Sequence, residues 1–208
     1  MYVCLSKLMK IDKNFIALDL EMNTKDGSRF PGRIIQVGIA IGSLENYTNQ
    51  DFVEKSWFVD PKEPIEPSIT ELTGITNDDI KYNSSSFEEI HKEILNLLEI
   101  YKCISNPVVW GNGDTKHLID EIDKNIGFCN IFRFRDIDVK TLHTFLLIAN
   151  NRKLNSSLKS ALQYHKIKFN GIPHRAVDDA RNTLNLFFYL LNKQIKIQEH
   201  LSQAVSLL

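Results

Sequence analysis

The sequence predicts an α/β fold with a mixed five-stranded sheet and helices on both faces. Two observations indicate this. Three apolar segments separated by polar loops come first, which is the pattern of a three-strand meander. Strand and helix patterns then alternate toward the C-terminus, an order that places helices against a sheet. We expect residues 1–208 to form a single domain, with its core at about 14–192 and a C-terminal helical tail at 193–208.

The first three strands are predicted from runs of apolar residues. Asn14–Met22 is apolar at nearly every position until its two acids, which is typical of a central strand buried on both faces. Arg33–Ile41 is the second strand, and Ser56–Val59 is the third, ended by Pro61. The prolines of Pro61–Tyr82 allow only short helical turns in that segment.

Helices and two short strands are predicted to alternate after residue 85. Ser86 and Glu89 have the spacing of a capping box, and an apolar stripe follows them, so a helix begins there. Pro107–Trp110 and Phe134–Val139 have short strand patterns. The remaining helical segments are Thr115–Ile126, Leu142–Ala149, Ser156–Tyr164 and Ala176–Leu191.

Composition excludes several classes of protein. The formal net charge of −1 is unlike that of a strongly basic nucleic-acid-binding domain. No apolar run approaches the roughly 18 residues of a membrane span, so no membrane partner is expected. The three cysteines, Cys4, Cys103 and Cys129, have no paired spacing, which favours reduced thiols in the cytoplasm over a disulfide framework or a zinc site.

Charge is distributed unevenly along the chain. Acidic residues dominate between Glu45 and Glu99, and basic residues dominate between Arg133 and Arg181. Two explanations remain open: two solvated surfaces, or a basic rim that guides a polyanion toward an acidic centre.

Asp19 and Glu21 end the first predicted strand. Positions i and i+2 of a strand share a face, so these two carboxylates emerge side by side from apolar surroundings. Such a placement is costly unless the carboxylates are paired or bind a metal ion. The alternative is that both lie just beyond the strand end in solvent, because a lone D-x-E is common.

Asp114 follows an apolar strand and the glycine-rich turn Gly111–Gly113. In open α/β sheets, functional groups gather at the carboxyl ends of the strands, which is where Asp114 is expected. The alternative role is a helix N-cap, for which aspartate is a favoured residue.

His174 lies just before the final predicted helix, and Asp179 lies one turn inside it. A histidine in this position can lie over a site to which the acid contributes, and an imidazole suits proton transfer near neutral pH. The alternative is a surface histidine, with Asp178 and Asp179 complementing the helix dipole.

Together, the three motifs resemble those of the DEDDh exonucleases, which are D-x-E, a central D and H-x(4)-D. Two further segments, Arg33–Gly38 and Pro64–Thr76, are similar to the family's second strand and connecting segment. The resemblance extends from Phe15 to Leu191 and implies a ribonuclease-H-like fold. Trp110–Asp114 is closest in pattern to the enhanced-RNA-interference-type exoribonucleases and the sporulation-inhibitor homologues. The residues that match the motifs are Asp19, Glu21, Asp114, His174 and Asp179.

The resemblance implies a metal-dependent 3′→5′ exonuclease that releases nucleoside 5′-monophosphates from single-stranded nucleic acid, with RNA favoured over DNA. It also implies two Mg²⁺ ions, for which Mn²⁺ can substitute, held by Asp19, Glu21, Asp114 and Asp179. His174 would be the general base, and Glu21 would also be catalytic. Residues next to the motifs are expected to contact the substrate: Met22, Asn23, Asn112, His117 and Arg175.

Two other functions remain open at this point. The same fold could serve as a non-catalytic nucleic-acid-binding module, although loss of a motif acid would be expected in that case. A hydrolase of small phosphate esters is the other alternative. The expected partner is a single strand with a free 3′ end, and the chain could be a monomer or a homodimer. The amphipathic tail Gln194–Leu208 could pack on its own domain or on a partner.

Overall fold

A computed structural model describes residues 13–25, 32–49, 51–133, 135–154 and 157–206. Its centre is a mixed five-stranded sheet in the order β3-β2-β1-β4-β5. The β1–β2 and β2–β3 pairs are antiparallel, whereas the β1–β4 and β4–β5 pairs are parallel. The predicted fold class is therefore confirmed. The strands are β1 (Phe15–Asn23), β2 (Arg33–Gly42), β3 (Val53–Phe58), β4 (Val108–Val109) and β5 (Ile137–Asp138).

Helices cover both faces of this sheet. Within the described residues they are α1 (Pro67–Thr73), α2 (Asn77–Asn83), α3 (Phe87–Ile100), α4 (Asp114–Ile126), α5 (Val139–Ala149), α6 (Leu158–Tyr164) and α7 (Ala176–Ser206). The predicted capping box at the start of α3 is present, with Ser86 and Glu89 satisfying each other's backbone N–H groups. None of these helices has the length and apolar character needed to cross a membrane.

Residues of β1 alternate between two cores. Leu18 and Leu20 belong to a cluster that also contains residues of α3 and α4. Phe15 and Ala17 point to the other face, in a cluster with residues of α5, α6 and α7. The free thiols of Cys103 and Cys129 pack against the first of these clusters.

Two strands are shorter than the sequence indicates. β4 and β5 have two residues each, because their neighbours continue into turns and helices. Val139 begins α5 rather than ending β5, since the Asp138 side chain accepts a hydrogen bond from the Thr141 N–H and caps that helix. Phe134 and Ser156, the predicted first residues of a strand and a helix, lie outside the described residues.

The final helix is longer than predicted. α7 continues without a break from Ala176 to Ser206, so the tail is an extension of this helix through Ser206. At 1.5 Å per residue, a 31-residue helix is about 46 Å long. The side chains of Ile197 and Leu201 are exposed on this extension.

Gly38 allows α7 to approach the sheet closely. A Cβ atom at this position of β2 would lie 2.2 Å from the Ala176 carbonyl carbon and 2.2 Å from the Val177 nitrogen. These are backbone atoms of the first turn of α7, which cannot move away without displacing the helix. Gly38 also pairs directly with Asp19 in the β1–β2 ladder. The residue therefore fixes how near the start of α7 lies to Asp19.

We expect Gly38→Ala to lower the free energy of unfolding by roughly 1–3 kcal/mol, the usual cost of overpacking. The cause is the clash with the α7 backbone, and urea denaturation measures it. Gly42→Ala is the matched control on the same strand, because its Cβ would meet the Phe52 ring, a side chain that can rotate away. Equal stability of the Gly38 variant and the wild type would contradict the close approach.

Candidate functional site

Asp19 and Glu21 lie on the face of the sheet that α7 covers. They follow the same alternation as Phe15 and Ala17, which pack against residues of that helix. Glu21 is buried, and Asp19 is partly buried. The β1–β2 register shifts just after Glu21, which ends the regular pairing beside the two acids. Both carboxylates are therefore inside the domain, and the alternative placement beyond the strand end is wrong.

Asp114 reaches the same end of the sheet from β4. This strand runs parallel to β1, with Val108 opposite Ala17, so their carboxyl ends point the same way. Gly111 and Gly113 follow with φ values of 96° and 120°, which only glycine adopts readily. Asp114 is the first residue of α4, and the N-cap is Gly113, which has no side chain for capping. The capping role for Asp114 is thus wrong.

The first turn of α7 contributes Asp179 and orients the segment that carries His174. The His174 backbone N–H donates a hydrogen bond of 2.7 Å to Asp179 Oδ2. His174 itself has a φ of 62°, a left-handed conformation that turns the chain immediately before the helix. Its side chain is exposed. The histidine therefore lies at the open side of the site, directly beside Asp179.

The predicted acids and the histidine converge. Ligand atoms of Glu21, His174 and Asp179 all lie within 4.8 Å of one another. The charges of Asp114, Asp179 and Glu21 all act on Asp19, which places the fourth carboxylate among them. Residues from β1, α4 and α7 thus form one carboxylate cluster (Asp19, Glu21, Asp114 and Asp179), although more than 150 positions separate the first from the last.

Burial raises the pKa of every carboxyl in the cluster, and repulsion from the other cluster acids adds to this at Asp19 and Glu21. Burial is the largest cause at Asp19, whose pKa lies well above its ordinary value, and the three other acids raise it further. Burial, followed by the charges of Asp179 and Asp114, raises the pKa of Glu21 to about 8. Burial also raises the pKa of Asp114 and of Asp179 to about 6 each. Without a counter-charge, the cluster therefore retains protons near neutral pH.

The donor set fits hard divalent cations. Four carboxylates supply oxygen ligands, which Mg²⁺ and Mn²⁺ prefer. Burial and the neighbouring acids raise the pKa values of Asp19 and Glu21, and a bound cation would favour their charged forms. Within the described residues, Glu21, His174 and Asp179 form a group that could hold a metal ion.

The residues expected to contact the substrate lie around the cluster but differ in their contacts. Asn23 is buried, and its carboxamide accepts from the Glu66 N–H and donates to Pro64 O and Glu63 Oε1. These contacts give Asn23 a structural role, namely holding the segment before α1 against β1. Met22 is partly buried and Asn112 is exposed, so both can meet a ligand.

His117 and Arg175 each bind a neighbouring loop. His117 Nε2 lies 3.1 Å from the Gly32 carbonyl oxygen, and Arg175 Nη2 donates to the Gly74 carbonyl oxygen at 3.1 Å. The Arg175 charge also lowers the pKa of Glu21, against the larger causes that raise it. Arg175 is therefore close enough to the cluster to act on a ligand bound there.

Two residues at the site were not predicted from the sequence. The Gln36 side chain accepts a hydrogen bond of 3.0 Å from the Ala176 N–H and so satisfies the start of α7. The charge of Asp136, which precedes β5, raises the pKa of Asp114. A polar residue inside the apolar run of β2 was a visible signal for Gln36. Nothing local in the sequence connects Asp136 with Asp114.

The chain is similar to known nucleases in sequence pattern and in fold. Residues 16–187 match the family model described as Exonuclease. The nuclease domain of 3'hExo, a DEDDh family member bound to rAMP, has 15% identity and a TM-score of 0.70 over 87% of this chain and 92% of that chain. A 3'-exonuclease that recognises the histone mRNA stem-loop has 14% identity and a TM-score of 0.69 over 87% and 82%. Cell-death related nuclease 4 (CRN-4) has 17% identity and a TM-score of 0.72 over 87% and 64%.

At these identities the likeness concerns the fold, which is the ribonuclease-H-like fold that the motifs implied. No curated protein matches the chain significantly.

The cluster predicts how the stability of the metal-free protein depends on pH. Each carboxyl has a higher pKa in the folded state than in the unfolded state, so folding takes up protons between about pH 4 and pH 8. We therefore expect the cluster's contribution to stability to fall as pH rises through this window. Bound Mg²⁺ should offset the loss, so it should raise Tm more at pH 8 than at pH 5.

Thermal unfolding in chelator and in Mg²⁺ measures both effects. Asp19→Asn is the matched control, because it removes one charge from the cluster at nearly constant shape. Its metal-free Tm should decline less steeply with pH than that of the wild type. Identical pH profiles for the two proteins would contradict mutual repulsion in the cluster.

Proposed function

Because the chain belongs to the exonuclease family, whose model matches residues 16–187, we propose that it is a divalent-metal-dependent 3′→5′ exonuclease acting on single strands. The convergence of the carboxylate cluster and His174 at one end of the sheet carries this proposal. A non-catalytic binding module needs no such set of costly buried acids, and all five motif residues are present.

Each residue of the site has a proposed role. Asp19, Glu21, Asp114 and Asp179 hold two divalent cations, which activate water and stabilise the departing 3′ oxygen when bound. His174 accepts a proton from the attacking water, which its exposed position beside Asp179 allows. Water adds to phosphorus, the bond to the 3′ oxygen breaks, and a nucleoside 5′-monophosphate leaves.

The proposed substrate is a single strand with a free 3′ end, and RNA is favoured over DNA. A net charge of −1 cannot hold a long duplex by phosphate contacts alone. Single strands present a terminal nucleotide without the cost of unpairing it. Preference for RNA rests on the expectation that Glu21 also meets the hydroxyls of the terminal sugar. Magnesium is the proposed ion, with manganese as a substitute.

The first test follows strands labelled at the 5′ end on a denaturing gel, with RNA and DNA side by side in Mg²⁺ or Mn²⁺. We expect a ladder that shortens by one nucleotide at a time, loss of activity in chelator and recovery when the metal is restored. Asp19→Asn should abolish activity and keep the fold, because a ligand is lost while the side chain keeps its shape.

Several outcomes would overturn the proposal. Immediate internal cuts, or equal cleavage of a circular strand, would show an endonuclease. Full activity in excess chelator would exclude the metal mechanism. Binding of single strands without any turnover would favour the non-catalytic module. Hydrolysis of small phosphate esters without cleavage of longer strands would favour the third alternative.

A second test separates His174 from the metal ligands. His174→Ala should lower turnover by roughly 10²–10⁴-fold, which is the usual contribution of a general base. Binding of Mn²⁺, measured by calorimetry, should largely persist because the four carboxylates remain. His91→Ala is the matched control, since His91 is a partly exposed histidine on α3 that contacts Asn130. Unchanged turnover in His174→Ala would contradict the role of general base.

A further inference from the structure

Two adjacent cavities form one groove beside the carboxylate cluster. They share Arg33 and Glu121 in their walls. One cavity, of about 520 Å³, extends from Asn23 past His117. The other, of about 440 Å³, continues to the turn at Ser84–Ser86 before α3. Either volume alone falls within the ~300–1,000 Å³ of a small-ligand site, so the combined volume is enough for more than one nucleotide.

The groove begins next to the proposed active site. Asn23 is two residues beyond Glu21 on β1, and it pairs with Arg33 across the β1–β2 ladder. His117 lies one helical turn after Asp114 on α4. Asn23 and His117 therefore mark where a strand whose 3′ end lies at the carboxylate cluster would enter the groove.

Five basic side chains line the groove together with four acidic ones (Asp60, Glu63, Glu89 and Glu121), and we name the basic set the basic trough. Its members are Lys25, Arg33, Lys62, His117 and Lys124. The lysines each have an acidic neighbour, at 3.6 Å for Lys25–Glu63, 2.9 Å for Lys62–Asp60 and 2.6 Å for Lys124–Glu121.

Two of these ion pairs are weak enough to exchange for phosphate, because the side chains of Lys25 and Lys62 are 68% and 80% exposed and their partners also meet solvent. Lys124 differs, since the side chain of Glu121 is only 11% exposed and would lose its counter-charge if the pair broke. Arg33 is exposed, and no acidic partner is found for it among the described residues. A guanidinium suits bidentate binding of phosphate, so Arg33, at the junction of the two cavities, is the strongest candidate contact.

The lining favours phosphate contacts over base stacking. Phe87 and the imidazole of His117 are the only aromatic side chains among the described lining residues. Phosphate contacts position a strand without reading its sequence, whereas stacking platforms need several aromatic rings. We propose that the basic trough binds the backbone phosphates of the nucleotides that precede the scissile bond. This inference rests on the proposed exonuclease function and adds a sequence-independent path for the substrate strand.

The test compares Arg33→Gln with the wild type on a ~12-nucleotide single strand and on a dinucleotide, which is too short to fill the groove. We expect KM for the longer strand to rise roughly 3–10-fold, the effect of one charge-assisted contact near the surface. KM for the dinucleotide should change much less. The plot of log(kcat/KM) against log salt for the longer strand has a negative slope. Its magnitude should be smaller by about 0.7 in Arg33→Gln, which is the contribution of one phosphate on a single strand.

Lys153→Gln is the matched control. Lys153 is an exposed lysine outside the trough, in the basic stretch between Arg133 and Arg181 that the sequence offered as a substrate rim. It should behave as the wild type at both lengths. A length-dependent loss in Lys153→Gln, with none in Arg33→Gln, would place the strand on the other surface and overturn the proposal.

A readout without turnover separates this inference from the proposed function. Fluorescence anisotropy of the labelled ~12-nucleotide strand in chelator reports binding when no cleavage occurs. Weaker binding by Arg33→Gln, together with no cleavage by the wild type in Mg²⁺, would support the trough as a binding surface and contradict the proposed exonuclease activity. Normal cleavage by the wild type, with unchanged KM and anisotropy in Arg33→Gln, would remove the trough alone.

Discussion

The contact between the first turn of α7 and the middle of β2 determines where the last sequence motif lies. Gly38 provides the space for this contact, because a side chain there would meet the helix backbone. Gln36, two residues earlier on the same strand, accepts a hydrogen bond from the Ala176 N–H and fixes the first turn. Gln36 pairs with Glu21 and Gly38 pairs with Asp19. The residues that seat the helix are therefore the direct neighbours of the acids to which it brings Asp179.

The same contact explains how two adjacent aspartates in α7 have different roles. Asp178 forms an ion pair with Arg181 at 2.7 Å and accepts a hydrogen bond from the Ile172 N–H, so it holds the loop before the helix. Gly171 leaves room for that carboxylate. Asp179 points into the cluster, where the positive end of the helix dipole partly offsets repulsion from the other acids. In the sequence, only the H-x(4)-D spacing identified Asp179 rather than Asp178 as the motif acid. The different contacts of the two aspartates give a physical reason for that choice.

Some features were predictable because they depend on local periodicity. Consecutive apolar residues in β1 indicate a strand buried on both faces, and Asp19 and Glu21 interrupt that apolar pattern. The capping box of α3 is likewise local. Long-range contacts were not predictable in this way. Asn23 has the residue type of a substrate contact, yet it braces the segment before α1, and no pattern near it shows the partners at positions 63–66.

The near-neutral charge of the chain is compatible with binding a polyanion because opposite charges occupy different places. The carboxylate cluster lies at the end of β1, and cations held there, as proposed, would reverse its effect on a phosphate group. The basic trough begins at Lys25, four residues beyond Glu21 along the chain, and lies in the open. Each lysine there is already beside an acid, so the trough adds little net charge while free. Attraction for a strand is therefore local and requires both bound cations and nearby phosphates. At physiological salt this attraction is screened within about 8–10 Å. A total of −1 conceals this arrangement, since it sums the acids of the cluster with the basic side chains of the trough.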